Sequence, residues 1–243
     1  MGRPPAALRR RTARTTSRTG PDGRAPARTL ATRSLARGDP TGWFEELYRA
    51  AERGEAKVPW VDRRTNPLLA EWAARARLRG RGKEALVIGC GLGDDAEFLA
   101  VRGFRTTAFD VAPTAIRGAK RRFPRSRVRY LVLDLDHAPG SWRRRFDLVL
   151  EAYTVQVLRG SVRCQAIRRI ASFVGPEGRL WVLARARRPT EGRGAMPWPL
   201  TRKELLAFAS DGLTVTKVEE LFDRETPPVR RWRAEFRRPV AKP

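Results

Sequence analysis

An α/β fold of three layers, with helices on both faces of a seven-stranded, mostly parallel sheet that ends in an antiparallel hairpin, is predicted by three features of the sequence. Apolar runs of strand length alternate with segments of helical period from residue 84 to residue 184. The connections between them are short, as crossovers in a parallel sheet covered by helices require. Two more strand-like runs near the C-terminus are separated only by a turn, which antiparallel neighbours permit and parallel ones do not.

The elements follow in order. The 243 residues are enough for one catalytic α/β domain with its own core. Residues 1–38 hold ten arginines and one acid, Asp22, with no sustained apolar periodicity. Such a segment buries too little to offset its ordering entropy, so it is expected to be disordered. Its Arg-rich, acid-poor composition also resembles a transit peptide, and it equally reads as an over-long start. The domain is therefore placed at 39–243. Thr41 is expected to cap a first helix carrying Glu45 and Glu46 in its first turn, with Trp43, Phe44, Leu47, Tyr48 and Ala51 at helical spacing and Gly54 as its stop. A second helix is expected over 67–78, with Leu68, Leu69, Trp72 and Ala73 on one face. Strands are expected at 84–88, 105–110, 128–133, 146–150, 179–184, 213–221 and 230–237, and helices at 94–102, 113–123, 161–174 and 201–210. The crossover 134–145 should hold only a turn, and the turn 223–228 closes the terminal hairpin.

Composition narrows the function classes. No apolar run approaches the roughly 18 residues needed to span a bilayer, and the start lacks a signal peptide's apolar stretch, so a soluble, cytoplasmic protein is expected. Cys90 and Cys164 lack metal or CxxC spacing, which suggests neither a disulfide framework nor a metal site. The net charge of +25 divides into +9 for residues 1–38 and +16 for the rest, and only six of the 51 basic residues are lysine. Such an arginine bias fits GC-rich coding as well as a polyanion partner, so a nucleic-acid partner is an open reading that is not favoured. A monomer is expected.

The stretch "ALVIGCGLGDD" at 85–95 carries the first chemical signal. A Gly-rich turn at the end of a first strand lets a ligand approach the backbone, and the following helix offers free N–H groups. Gly89, Gly91 and Gly93 give GxGxG, whereas the dinucleotide fingerprint is GxGxxG, and its third glycine position is Asp94 here. A carboxylate at that point repels a pyrophosphate but tolerates the ammonium and sulfonium of S-adenosylmethionine. Asp110 ends the second strand 21 residues after Gly89, the distance at which an acid reaches a ribose diol; its simpler role is to cap the helix before Pro113. Asp134 ends the third strand, where it can accept from an adenine amine beside Val132, Leu133 and Leu135, with Asp136 the lesser candidate.

With these residues in order, the chain over 39–243 resembles class I S-adenosylmethionine-dependent methyltransferases, whose sheet is Rossmann-like. It looks most like the branch of thiopurine S-methyltransferase, thiol methyltransferases and tellurite-resistance methyltransferases. Trp43 ahead of "VPW" at 58–60, "NPLL" at 66–69, "GCGLGDD", "FDVAPTAI", "FDLVLEAYTVQVL" at 146–158 and "MPWPLTRKEL" at 196–205 carry the likeness. Val87 stands where most class I enzymes have an acid two residues before the first glycine, a departure shared with that branch. The resemblance implies S-adenosylmethionine as cofactor, with its methionine end against Gly89, Cys90, Gly91, Gly93 and Asp95. It implies the ribose on Asp110 and Val111, and adenine near Asp134 and Leu135. It also implies that Trp43 and Trp60 fold over the cofactor, where an indole face attracts a sulfonium; both could equally be core residues. Glu151 is expected at the cofactor as well.

Methyl transfer from a sulfonium is an in-line displacement, so positioning and desolvation carry most of the catalysis and no metal is needed. Glu151, Tyr153 and Gln156 follow the fourth strand, and Glu151 and Tyr153 are the candidate catalytic residues. Glu151 reads as a base, an orienting acceptor or a loop cap. Ala152 replaces the arginine that thiopurine enzymes carry just after the corresponding acid, which speaks against thiopurines as acceptors. "EAYT" in place of (D/N)PP(Y/F), and the lack of a Pro-Cys pair, speak against nucleic-acid base methylation. His137 follows the third strand and is assigned a loop role. The loop 187–200 is the candidate acceptor lid, with Met196 and Trp198 as apolar wall and Arg187, Arg188 and Arg193 as attractors of an anion. A small-molecule acceptor is favoured. The competing readings are an RNA-directed methyltransferase anchored by the basic segment and a non-catalytic S-adenosylmethionine-binding module; an NAD-dependent oxidoreductase ranks last.

Overall fold

The computed structural model describes residues 23–239. Its strands are β1 (Glu84–Ile88), β2 (Arg105–Asp110), β3 (Arg129–Val132), β4 (Phe146–Ala152), β5 (Val174–Arg185), β6 (Thr214–Phe222) and β7 (Arg230–Arg237). They form one sheet in the order β3-β2-β1-β4-β5-β7-β6, parallel from β3 to β5, with β7 antiparallel to both β5 and β6. The chain runs outward from β1 to β2 and β3, then returns to β4 on the other side of β1. That reversal opens a crevice at the carboxyl ends of β1 and β4, the usual ligand edge of such a sheet.

The helices are α1 (Ala25–Ala36), α2 (Trp43–Glu52), α3 (Pro67–Arg75), α4 (Asp94–Val101), α5 (Pro113–Arg122), α6 (Gly160–Ser172) and α7 (Arg202–Leu206). β1 and β4 are central, and their near-continuous apolar sequences "ALVI" and "FDLVL" match burial on both faces. Successive residues alternate between two cores: Trp181 and Leu183 face α3, α4 and α5, while Leu180 and Val182 face α6 and α7. Trp72 stacks on Trp181 at 4.1 Å and closes the first core. Asn66 caps α3 through Leu68 N–H ahead of Pro67, and Thr201 and Glu204 form a capping box on α7.

Several boundaries differ from the sequence expectation, each for a local reason. Thr41 does not cap α2; Asp39 Oδ1 accepts from the N–H groups of Thr41 and Gly42 at 3.0 and 2.8 Å. α3 stops at Arg75 because Arg77 turns left-handed, with φ 47°. α7 ends at Leu206, after which Phe208 and Ala209 close i→i−3 turns. β5 starts earlier, at Val174, since that residue pairs with Phe146 before an irregularity at "GPEG". The crossover after β3 holds only the short 3₁₀ turns Leu135–His137 and Gly140–Trp142, as expected.

The largest difference lies in the segment expected to be disordered. Its residues 1–22 fall outside the described residues, but 25–36 form α1, which buries Ala27 and Ala31 against Trp43, Leu47, Met196 and Trp198. Small residues at i and i+4 give α1 a narrow face for that cluster, a signal too weak to read without the partner surface. Among the described residues no helix is long and apolar enough to cross a membrane.

Candidate active site

One cavity of about 1560 Å³ occupies the carboxyl edge of the sheet. Its inner half is built on the turn between β1 and α4. Gly91 has φ 53°, and its N–H donates to Asp110 Oδ2 at 2.9 Å, so the turn and the end of β2 hold one another. A Cβ on Gly91 would lie 2.9 Å from the Tyr48 hydroxyl, so bare backbone is needed there for α2 to close over the turn. Gly93, at φ 90°, serves packing instead: a Cβ there would come within 2.3 Å of the Tyr130 hydroxyl, and the residue is not on the cavity wall.

Asp110 is buried, and its Oδ1 accepts from Ala112 N–H at 2.9 Å. Burial pushes its carboxyl up to about 6, against the pull of the two N–H donors. Val111, Asp134 and Leu135 stand on the same wall. Asp134 Oδ1 also accepts from Asp136 N–H at 2.9 Å, which fixes the side chain at the end of β3. Asp136 is exposed and off the wall. At the start of α4, Asp94 is gripped by Arg122 at 2.6 and 2.7 Å. Asp95 accepts from Asn66 N–H at 2.8 Å, and burial raises it to about 6. Cys90 is on the wall, with its thiol pushed well up by burial. With Glu97, these acids make the first turn of α4 anionic. A helix start of that charge opposes a pyrophosphate and suits a cationic ligand.

Aromatic residues cover this half, but not the expected pair. Trp60 lines the cavity and donates from Nε1 to the Tyr48 hydroxyl at 3.0 Å. Trp43 does not line it: the side chain is 1% exposed, donates to Pro40 O and stacks on Phe44 at 3.9 Å. Phe44 and Tyr48, on the same helix, supply the wall instead. Neither was singled out for the site by sequence, because helical period separates a buried face from an exposed one but does not say which buried ring meets a ligand.

At the end of β4, Glu151 is turned away from the cavity, against the expectation that it stands at the cofactor. The side chain is fully buried off the cavity wall, and Oε1 accepts from the N–H groups of Thr154 and Val155 at 2.7 and 2.9 Å. It caps the loop that follows β4 and is not part of the cavity wall. Its Oε2 has no hydrogen-bond partner among the described residues, and burial raises the carboxyl to about 7. Tyr153 does face the cavity, with φ 67° and the Arg231 guanidinium 5.0 Å above its ring. Gln156 Oε1 accepts from Arg185 N–H at 2.8 Å. His137 is exposed in its 3₁₀ turn, away from the cavity.

The candidate lid divides in two. Met196 lines the cavity, and its carbonyl accepts from Arg28 Nε at 2.8 Å. Trp198 is turned into the α1–α2 cluster and is not a cavity wall. Arg187 and Arg193 pair with Glu204, Arg188 lies beside Glu191, and none of the three is on the cavity wall.

The residues fit S-adenosylmethionine: an acid at the end of β2, an acid and apolar surface after β3, an indole wall and an anionic helix start converge on one crevice. The comparisons with known proteins agree. Residues 85–178 match the family described as a methyltransferase domain. The chain is 27% identical over 182 residues to the 2-heptyl-1-hydroxyquinolin-4(1H)-one methyltransferase of Mycobacteroides abscessus, covering 72% of this chain and 78% of that protein. It is 31% identical over 110 residues to nodulation protein S of Bradyrhizobium diazoefficiens, covering 44% of this chain and 52% of that one. By fold it is similar to the N-methyltransferase NodS of Bradyrhizobium japonicum in complex with S-adenosylhomocysteine, with TM-score 0.60, 23% identity, and 79% and 98% of the two chains covered. It is also similar to the 1,6-didemethyltoxoflavin-N1-methyltransferase of Burkholderia thailandensis, with TM-score 0.57, 19% identity and 88% of each chain covered.

Proposed function

We propose that this chain, a class I S-adenosylmethionine-dependent methyltransferase, methylates a small-molecule nucleophile bound in the outer half of its cavity. The observation that carries the reading is the convergence of Gly91, Asp110, Asp134 and Tyr153 on one crevice at the reversal of strand order. The cofactor supplies an electrophilic methyl group on a sulfonium. Asp110 is the residue to accept from the ribose, and Asp134 from the adenine amine, with Val111 and Leu135 as apolar surface. Trp60 offers its ring to the cation. Tyr153, on the cavity wall beneath the Arg231 guanidinium, is the side chain placed to orient the acceptor, and the rings of Phe44 and Tyr48 exclude water from the inner half.

Two likenesses support a small, heteroaromatic acceptor: the names of the relatives refer to a hydroxyquinolone and to a didemethyltoxoflavin. The finer placement beside thiol and tellurite-resistance methyltransferases rests on the motifs "GCGLGDD" and "MPWPLTRKEL". Ala152 weighs against a thiopurine within that branch. Because Glu151 is walled off, the acceptor is expected to be a nucleophile that needs no strong base, such as a thiol or an acidic hydroxyl. The test is calorimetric titration with S-adenosylhomocysteine, with NADH as control. Binding is expected for the first alone, weakened about tenfold or more by Asp110→Ala through loss of a charge-assisted contact. Binding of NADH in preference would sink the reading.

A further inference from the structure

The outer half of the cavity carries a charge cluster that methyl transfer itself does not use. β5 and β6 end, and β7 begins, at the carboxyl edge, because β7 alone runs antiparallel. This brings Arg185, Arg231 and Arg233 to the wall beside Tyr153, with Arg185 and Arg231 directly opposite in register. The Arg231 side chain is 6% exposed and that of Arg185 18%. Arg231 Nε donates to Asp223 Oδ2 at 2.5 Å, and Asp223 is fixed by the N–H groups of Glu225 and Val229. Arg233 Nε donates to Glu219 at 2.7 Å, while its buried Nη1 has no hydrogen-bond partner among the described residues.

The counter-charge is uneven. Arg185 and Arg231 share one further carboxylate, Glu225, with Arg185 Nη2 donating to its Oε2 at 3.4 Å and Arg231 Nη2 to its Oε1. Glu225 is 49% exposed, on the turn between β6 and β7, so it is the one member of this group free to swing into solvent. Burial, then repulsion from Arg24 and Arg231, pulls Arg185 down to about 10. Two guanidiniums this close and this dry bind an oxyanion strongly, since each presents a planar fork of donors.

We propose that Arg185 and Arg231 form an anion subsite: the methyl acceptor carries a carboxylate or equivalent oxyanion that displaces Glu225 from the two guanidiniums and lies beside the Tyr153 ring. Glu225 is the internal stand-in for that group. The assignment of this half of the cavity to the acceptor rests on the methyltransferase reading.

The test uses the full chain, with and without saturating S-adenosylhomocysteine, titrated calorimetrically with benzoate and with benzamide, its uncharged counterpart. Benzoate is expected to bind about tenfold or more tightly than benzamide. Glu225→Ala is expected to tighten benzoate several-fold by removing the internal competitor. Arg185→Gln is expected to abolish the preference while leaving the affinity for S-adenosylhomocysteine unchanged. Equal binding of the two probes, binding of neither, a preference that survives Arg185→Gln, or weaker benzoate binding by Glu225→Ala would each overturn the subsite. Failure to bind S-adenosylhomocysteine overturns the methyltransferase reading separately, because the benzoate comparison without it still reads the two arginines.

Discussion

Gly93 shows how one residue can carry a motif for a reason other than the expected one. The GxGxG spacing is legible in sequence, but its last glycine lies off the cavity wall and makes room for Tyr130, whose hydroxyl donates to Glu97 at 2.7 Å. Gly93→Ala is therefore expected to cost on the order of 2–3 kcal/mol from left-handed strain and the displaced tyrosine. In calorimetric melts that is a fall of roughly 5–10 °C for a domain of this size. An unchanged melting temperature would show that the turn relaxes at no cost. Asp110 behaves differently: strand end, spacing and chemistry all agree, and the structure places it on the cavity wall. Glu151 was open to several readings because sequence fixes its position at the end of β4 but not the side to which its carboxylate turns.

At the scale of elements, the strands and the order in which they follow were readable wherever apolar runs were continuous, as in β1, β2 and β7, whose bounds match expectation. α1 was not, because its burial depends on a surface that α2 forms together with the 196–198 loop, and that loop is far away in sequence. Trp198 is the joint of that assembly, with Arg163 Nη2 and Gln156 O holding its backbone at 3.1 and 2.8 Å. Trp198→Ala is expected to lower stability by about 3 kcal/mol, the lower range for emptying a buried tryptophan site. With α1 loosened, the Met196 wall shifts, so the KM of the acceptor should rise while the affinity for S-adenosylhomocysteine holds. Steady-state kinetics against both substrates separates the two. A parallel loss of cofactor affinity would instead make the cluster part of the inner half.

Across the whole molecule, pH dependence is set by where carboxylates lie. Asp95, Asp110 and Glu151 gather behind one edge, and burial raises them to about 6, about 6 and about 7. The folded state holds these protons more tightly than the unfolded one. Their contribution is thus fully present below the unfolded values of 3.8 and 4.5 and is lost as pH rises through 6 to 7. Asp39, Glu84, Glu204, Glu219 and Asp223 have the opposite sign, since hydrogen bonds and arginines lower them and their stabilisation is lost as pH falls below about 4. The ligand-free protein should therefore be most stable near pH 5, and its melting temperature should fall between pH 5 and pH 8. Glu151→Gln should flatten part of that fall. A melting temperature that rises from pH 5 to pH 8 would contradict the burial of these three groups.

The sequence by itself determined the layered α/β fold, the strand succession and the glycine-acid signature of the cofactor, because those depend on local period, turn chemistry and spacing along the chain. Only the tertiary structure decided which aromatic rings line the cavity, that Glu151 caps a loop, that α1 packs on α2 and the 196–198 loop, and that Arg185 and Arg231 meet at the cavity. Each of these turns on the direction of a side chain or on contact between segments remote in sequence. Periodicity assigns a residue to a face; the packing of all the elements together decides what that face meets.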